Sequence, residues 1–241
     1  MSTPFPDSER ERLQTQYAEI ATLAGGLAHE IRNPLSTIQM NLELLGEDLE
    51  ESSDPKLQRS LRKLERIRQE CKHLEEILSA FLDFARAGQL DLELLDLAEL
   101  VNEFVDFYRP QASEHGVELS PHLATNLPLV QVDRALMKQV LMNLALNAQQ
   151  AMPNGGEISL QAYTQGDSVH LEIIDTGTGM TPQAQESMFQ VFFSTKPGGS
   201  GLGLPTVRKI IEAHDGSISC ESELGRGTRF TIILPAQVPL H

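Results

Sequence analysis

Gly26-Leu27-Ala28-His29-Glu30-Ile31-Arg32-Asn33-Pro34-Leu35 is the stretch on which the fold reading turns. It lies inside a longer run in which apolar residues recur as Leu13, Tyr17, Ile20, Ala24, Leu27, Ile31, Leu35, Ile38, Leu42, Leu45 and Leu49. The spacing alternates between four and three, as in a helix with one apolar seam. It breaks only where Leu27, Ile31 and Leu35 place two fours together and insert one residue into the heptad. His29 is two residues from both Leu27 and Ile31. At about 100° per residue its ring points roughly 200° from each, away from the seam. A helical proline removes a donor and frees a carbonyl, at a cost of roughly 3 kcal/mol. The seam nevertheless runs on for about four turns past Pro34, so the spacing predicts a helix over 9–50 that kinks there. A boundary at Asn33 is the competing reading.

Beyond this run, Glu51-Ser52-Ser53-Asp54-Pro55 reads as a turn, with Asp54 capping and Pro55 opening a second helix. That helix repeats Leu57, Leu61, Leu64, Ile67, Cys71, Leu74, Leu78 and Phe81 and is predicted to end near Ala87-Gly88. An antiparallel hairpin of this kind cannot bury its apolar face alone, so a homodimeric four-helix bundle through residues 9–88 is expected. The same helix carries Lys56, Arg59, Arg62, Lys63, Arg66, Arg68 and Lys72. This is a basic cluster suited to a solvated face, to phosphates or to an acidic partner.

The whole chain has 241 residues and a net charge of −15. Such acidity argues against a nucleic-acid partner, which calls for a basic face. No apolar run approaches the ~18 residues of a membrane span, and no signal peptide opens the sequence. Cys71 and Cys220 are far apart without metal-ligand spacing and read as reduced thiols of a cytoplasmic protein.

From Leu90 the texture changes to short elements. Strands are predicted at 92–97, 117–123, 129–132, 157–164, 168–175, 217–222 and 227–234, and helices at 98–114, 133–152 and 204–214. The pattern describes an α/β sandwich, one mixed sheet covered by helices. The domains are thus a helical hairpin over 1–88 and a second, compact domain over 89–241. Residues 177–203, rich in Gly, Pro and Ser, form a loop long enough to act as a lid.

Four pieces of the second domain suit a nucleotide. Asn143 and Asn147 lie four apart on one helix face, where an amide carbonyl could give Mg²⁺ an oxygen. Asp175-Thr176-Gly177-Thr178-Gly179-Met180 follows a strand with a carboxylate and a chain that can pass close to a ligand. Phe189, Phe192 and Phe193 precede Ser194-Thr195-Lys196, setting apolar anchors beside a cation. Gly198-Gly199-Ser200-Gly201-Leu202-Gly203-Leu204 opens a helix, and backbone amides at such a turn bind phosphate. Its spacing fits neither the P-loop nor the dinucleotide fingerprint. An exposed histidine and a separate nucleotide pocket together suggest phosphoryl transfer to the protein itself.

Residues 26–35 resemble the H-box of the two-component sensor histidine kinases. The four downstream pieces resemble the N, G1, F and G2 boxes of the catalytic domain of that family, a Bergerat-type ATP-binding sandwich. The resemblance extends over residues from about 15 to 236. It implies that His29 accepts the phosphoryl group, that Glu30 bonds one ring nitrogen, and that Asn33 orients water for dephosphorylation of a partner. It further implies that ATP and Mg²⁺ are the cofactors, with Asn147 on the metal and Asp175 on the adenine amino group. Gly177, Gly179, Gly201 and Gly203 would then shape the lid, with Lys196 near the phosphates and Asn143, Gly199 and Leu202 also binding the cofactor.

The ATP-hydrolysing cousins place a glutamate where Asn143 stands. An amide takes no proton near neutral pH, which favours transfer over hydrolysis. The implied partner is the receiver domain of a response regulator, whose aspartate takes the phosphoryl group. The rivals are a non-catalytic ATP-binding scaffold and a hydrolase, whether an ATPase or a kinase-fold phosphatase.

Overall fold

A computed structural model describes residues 31–46, 55–87, 90–196 and 199–237. His29, Glu30, the predicted helix before Ile31 and the turn at 51–54 lie outside the described residues. The chain divides into two compact units, with the break between Arg86 and Ala87 and with residues 196–200 grouped with the helical unit.

In the helical unit, α1 (residues 31–46) continues through Asn33 and Pro34, so no boundary falls there. The side chains of Ser36 and Thr37 donate to the carbonyls of Arg32 and Asn33 at 3.0 and 3.1 Å. Such bonds to the preceding turn are a known bending influence on helices. The second helix, α2 (Pro55–Arg86), opens on its proline as predicted. Leu35 and Cys71 are buried, and Leu82 and Ala85 form a small cluster with Leu78 and Phe81.

The α/β unit comprises β1 (Glu93–Leu95), α3 (Leu97–Glu114), β2 (Val117–Leu123), β3 (Val130–Val132), α4 (Arg134–Ala151), β4 (Gly156–Gln165), β5 (Ser168–Asp175), α5 (Pro182–Ser187), α6 (Gly203–Ala213), β6 (Ser217–Glu223) and β7 (Gly227–Pro235). The main sheet has the order β2-β4-β5-β7-β6; β2 and β4 are parallel and the other pairs antiparallel. The expectation of one sheet is corrected in detail: β1 pairs only with β3, as a separate two-stranded ribbon. Both strands are only three residues long. Val130 bridges to Ala236 just past β7, so the ribbon is tethered to the main sheet without entering its order.

Alternation along the strands decides which face is covered. In β5, Val169, Leu171, Ile173 and Asp175 are buried and the intervening residues half-exposed. The buried face packs against α3, α4 and α6, whose inward residues include Tyr108, Leu141, Leu144, Ile210 and Ile211. Asp96 and Asp133 cap α3 and α4 by accepting from the backbone amides of Ala98 and Leu136. The short α5 was not predicted and interrupts the expected lid loop. Thr181 caps it and Pro182 occupies its first position.

Candidate nucleotide site

Asp175 is the last residue of β5 and only 6% exposed. A carboxylate so buried needs donors, and the amide of Gly177 supplies one to its Oδ1 at 2.8 Å. That bond requires the chain to turn sharply. The position of Gly177 demands its lack of a side chain, because a Cβ there would meet the Ala151 Cβ at 2.7 Å and the Asp175 Oδ1 at 2.8 Å. The next residue, Thr178, donates its amide to the Ala151 carbonyl at 3.0 Å. The start of the loop is thus pinned to the end of α4, the helix that carries Asn143 and Asn147.

Both amides are half-buried. Gly203, at the start of α6, lies beside Asn143: a Cβ on it would be 3.7 Å from Asn143 Oδ1. No side chain caps this end of α6. Helix amides left without side-chain caps suit an anion. Asn143, Gly203 and Leu202 are therefore brought to one end of α6, and Asp175 and Gly177 to the end of α4. Gly201 adopts φ +65° and its carbonyl accepts from the Phe192 amide at 3.0 Å, with Phe192 itself at φ +66°. Lys196 and Gly199 are joined by a bond from the Gly199 amide to the Lys196 carbonyl at 3.2 Å. They group with the helical unit.

The sequence reading missed one wall of the site. Gly179 (φ +67°) packs so closely on the β6–β7 turn that a Cβ would clash with the Glu223 carbonyl, and Gly227 (φ +99°) is pressed against the Asp175 carbonyl in the same way. The register places Thr228 opposite Asp175 and Ser222 opposite Thr228. Ser222 Oγ accepts from the Met180 amide at 2.9 Å, donates to the Gly227 carbonyl at 2.8 Å and lies 3.0 Å from Thr228 Oγ1. Gln185 of α5 donates to the Ser222 carbonyl at 2.9 Å. The pair Gly225-Arg226-Gly227 was the available signal, but its partner is fifty residues away in sequence. Cys220 shares this wall, and burial, then the charges of Asp175 and Glu221, push its thiol up to about 12.

The two parts of the chain match two family models. Residues 19–90 match HisKA, the His Kinase A (phospho-acceptor) domain. Residues 132–238 match HATPase_c, the histidine kinase-, DNA gyrase B- and HSP90-like ATPase. The chain belongs to the sensor histidine kinases. Among histidine kinase relatives, the sensor histidine kinase ZraS of Escherichia coli (strain K12) is 34% identical over 217 residues, covering 90% of this chain and 45% of that protein. The structure of full-length ShkA in complex with AMPPNP matches with a TM-score of 0.69 and 29% identity, over 91% of this chain and 47% of that one. The histidine kinase ThkA in complex with the response regulator protein TrrA matches with a TM-score of 0.66 and 26% identity, over 98% and 68%. The chain spans less than half the length of ZraS. No described helix is long and apolar enough to cross a membrane.

Proposed function

We propose that this chain is an ATP-dependent protein-histidine kinase core, with a phospho-acceptor hairpin over 1–88 and a catalytic domain over 89–241. ATP binds in the second domain, and its γ-phosphoryl group passes to His29. The buried Asp175 with its Gly177 bond is the observation that supports this most. A carboxylate held in an apolar sheet end, beside two half-buried amides and an uncapped helix start, fits a purine with a phosphate tail. The AMPPNP bound to the ShkA structure supports the same reading.

Magnesium fits the donor set in a particular way. No group of three or more His, Cys, Asp or Glu side chains that could hold a metal occurs among the described residues. A single amide carbonyl from Asn147 suits a cation that arrives with phosphate oxygens and keeps its waters. Bound there, the metal would neutralise charge on the phosphates. Asn147 holds and orients, Asp175 reads the base, and the start of α6 faces the anionic tail. On the acceptor side, Glu30 bonds one imidazole nitrogen so that the other attacks the phosphorus. The phosphoryl group then passes to an aspartate of a response regulator, a partner suggested by the ThkA–TrrA complex.

A phosphatase activity is a second reading. It is favoured by the exposed side chain of Asn33 on α1, four residues after His29 in the sequence. Incubation with γ-labelled ATP and magnesium should give an acid-labile, base-stable phosphoprotein. His29→Ala should remove all label and keep nucleotide binding; label retained in that variant would refute the proposal. Asn33→Ala should slow phosphate release from a phosphorylated regulator while sparing autophosphorylation.

A further inference from the structure

His214, the residue after α6, is 5% exposed and plays no part in the chemistry just described. Its Nε2 lies 2.8 Å from the backbone nitrogen of Asp133, at the head of α4, and its Nδ1 lies 2.7 Å from the Ile210 carbonyl. The Asp133 amide can only donate, so Nε2 must be the bare nitrogen and Nδ1 must carry the hydrogen. One tautomer therefore satisfies both ends, and the ring joins the tail of α6 to the head of α4. The other end of α6 lies against Asn143, ten residues farther along α4. The two helices run antiparallel, fixed near the nucleotide by packing and at the far end by this imidazole.

The connection extends further. The carboxylate of Asp133 is divided: Oδ1 accepts from the Leu136 amide and caps α4, while Oδ2 accepts from the Asp91 amide at 2.9 Å. Asp91 is the fifth residue after Arg86, where α2 ends. A continuous chain of bonds thus runs from α6 through His214 and Asp133 to the segment that leaves the helical hairpin.

We propose that His214 and Asp133 are positioning residues that set the register of α6 on α4 and couple nucleotide binding to the segment at Asp91. The inference rests on the nucleotide-site reading. A ligand that shifts α6 by its phosphates moves the imidazole at the opposite end, and the Asp133 amide and carboxylate carry that shift to Asp91. The head of α4 is about 15 Å along the helix from Asn143 and about 21 Å from Asn147, at 1.5 Å per residue. No direct contact with a nucleotide could therefore produce a response there.

The first test is amide hydrogen exchange and ¹⁵N chemical shifts on the wild-type chain, with and without saturating AMPPNP and magnesium. Slower exchange at Asp91 and Asp133 and a shifted His214 ring nitrogen are expected, alongside changes near Asp175 that report occupancy. Occupancy at Asp175 with silence at His214, Asp133 and Asp91 overturns the inference alone. A chain that binds no nucleotide overturns the site reading with it.

Two variants sharpen the result. His214→Gln keeps an acceptor for the Asp133 amide and His214→Leu does not. An affinity for AMPPNP about tenfold weaker in the leucine variant, restored to within about threefold by glutamine, is the expected order for one buried hydrogen bond. Equal affinities in the two, with both folded, overturn the assignment. Asp133→Asn still caps α4 but loses the acceptor for Asp91. It should abolish the Asp91 response and leave the response at His214; a persistent Asp91 response overturns the relay.

Discussion

The two units bury apolar surface in opposite ways. In the α/β unit, sheet and helices enclose a continuous core from Leu95 to Leu234, with many side chains wholly buried. In the helical unit, Ile38 is 45% exposed, Met40 62%, Leu44 53%, Leu45 49% and Leu74 51%. These residues face water on a hairpin whose own buried cluster is small. One unit is complete as a single chain, and the other presents a seam that needs a second surface. Isolated apolar residues on a surface are ordinary, and Met40 and Leu44 lie off the heptad seam, but Ile38, Leu45 and Leu74 belong to the seams read from the sequence, and exposure along such a seam marks an interface. The dimer expected from the heptads is the arrangement that covers it.

The contrast can be broken, starting with its largest effect. Leu141→Ala removes a fully buried side chain from α4 and should destabilise the α/β unit by about 2–5 kcal/mol. Chemical denaturation should show this with the helical signal of the hairpin little affected. Leu45→Glu places a charge in the exposed seam. It should weaken self-association by about 2–3 kcal/mol, the cost of burying an unpaired charge reduced by escape to water. Light scattering across a dilution series reads this, while nucleotide affinity stays put. If the α/β unit unfolds with it, the two units are not independent in the way their cores suggest.

Asp175→Asn keeps the size of the side chain and an acceptor for Gly177 but changes the group offered to an adenine. It should cost about 1–3 kcal/mol in ATP affinity, read by calorimetry, with little change in melting temperature. The smallest effect belongs to the surface. A hydrogen bond from Lys138, aided by those from Arg134, holds the Glu103 carboxyl below the ordinary glutamate range. A lowered folded-state value means that the stabilising contribution exists at neutral pH and fades as pH falls through that range. The melting temperatures of wild type and Glu103→Gln should therefore differ slightly at pH 7 and converge in acid.

Local and periodic information was legible in the sequence. The strand at 117–123 matches Val117–Leu123, and Gly166 provides the turn between β4 and β5 with φ +61°. The α4 amides could be placed on one face by helical spacing alone. What escaped depends on contacts distant in sequence. Nothing local distinguishes Gly227 from any turn glycine until Asp175 is set against it. Nothing near His214 reveals that Asp133 is its partner. The separation of β1 and β3 from the main sheet is likewise a matter of which edge is free. The Thr181-Pro182 pair was a local signal for α5, obscured because the surrounding glycines and serines read as loop.

The two hairpin tips of the main sheet differ in a way useful to anyone wishing to attach something to this protein. Gly166 has open space around it, and the β4–β5 tip lies at the opposite end of β5 from Asp175. The β6–β7 tip looks as accessible, with Leu224 60% exposed. Yet the Gly225 amide is bonded to the Thr178 carbonyl, and Gly227 sits against Asp175. A fluorophore or grafted peptide at the first tip would ride along as a passenger. At the second it would act as a lever on the Asp175 carboxylate.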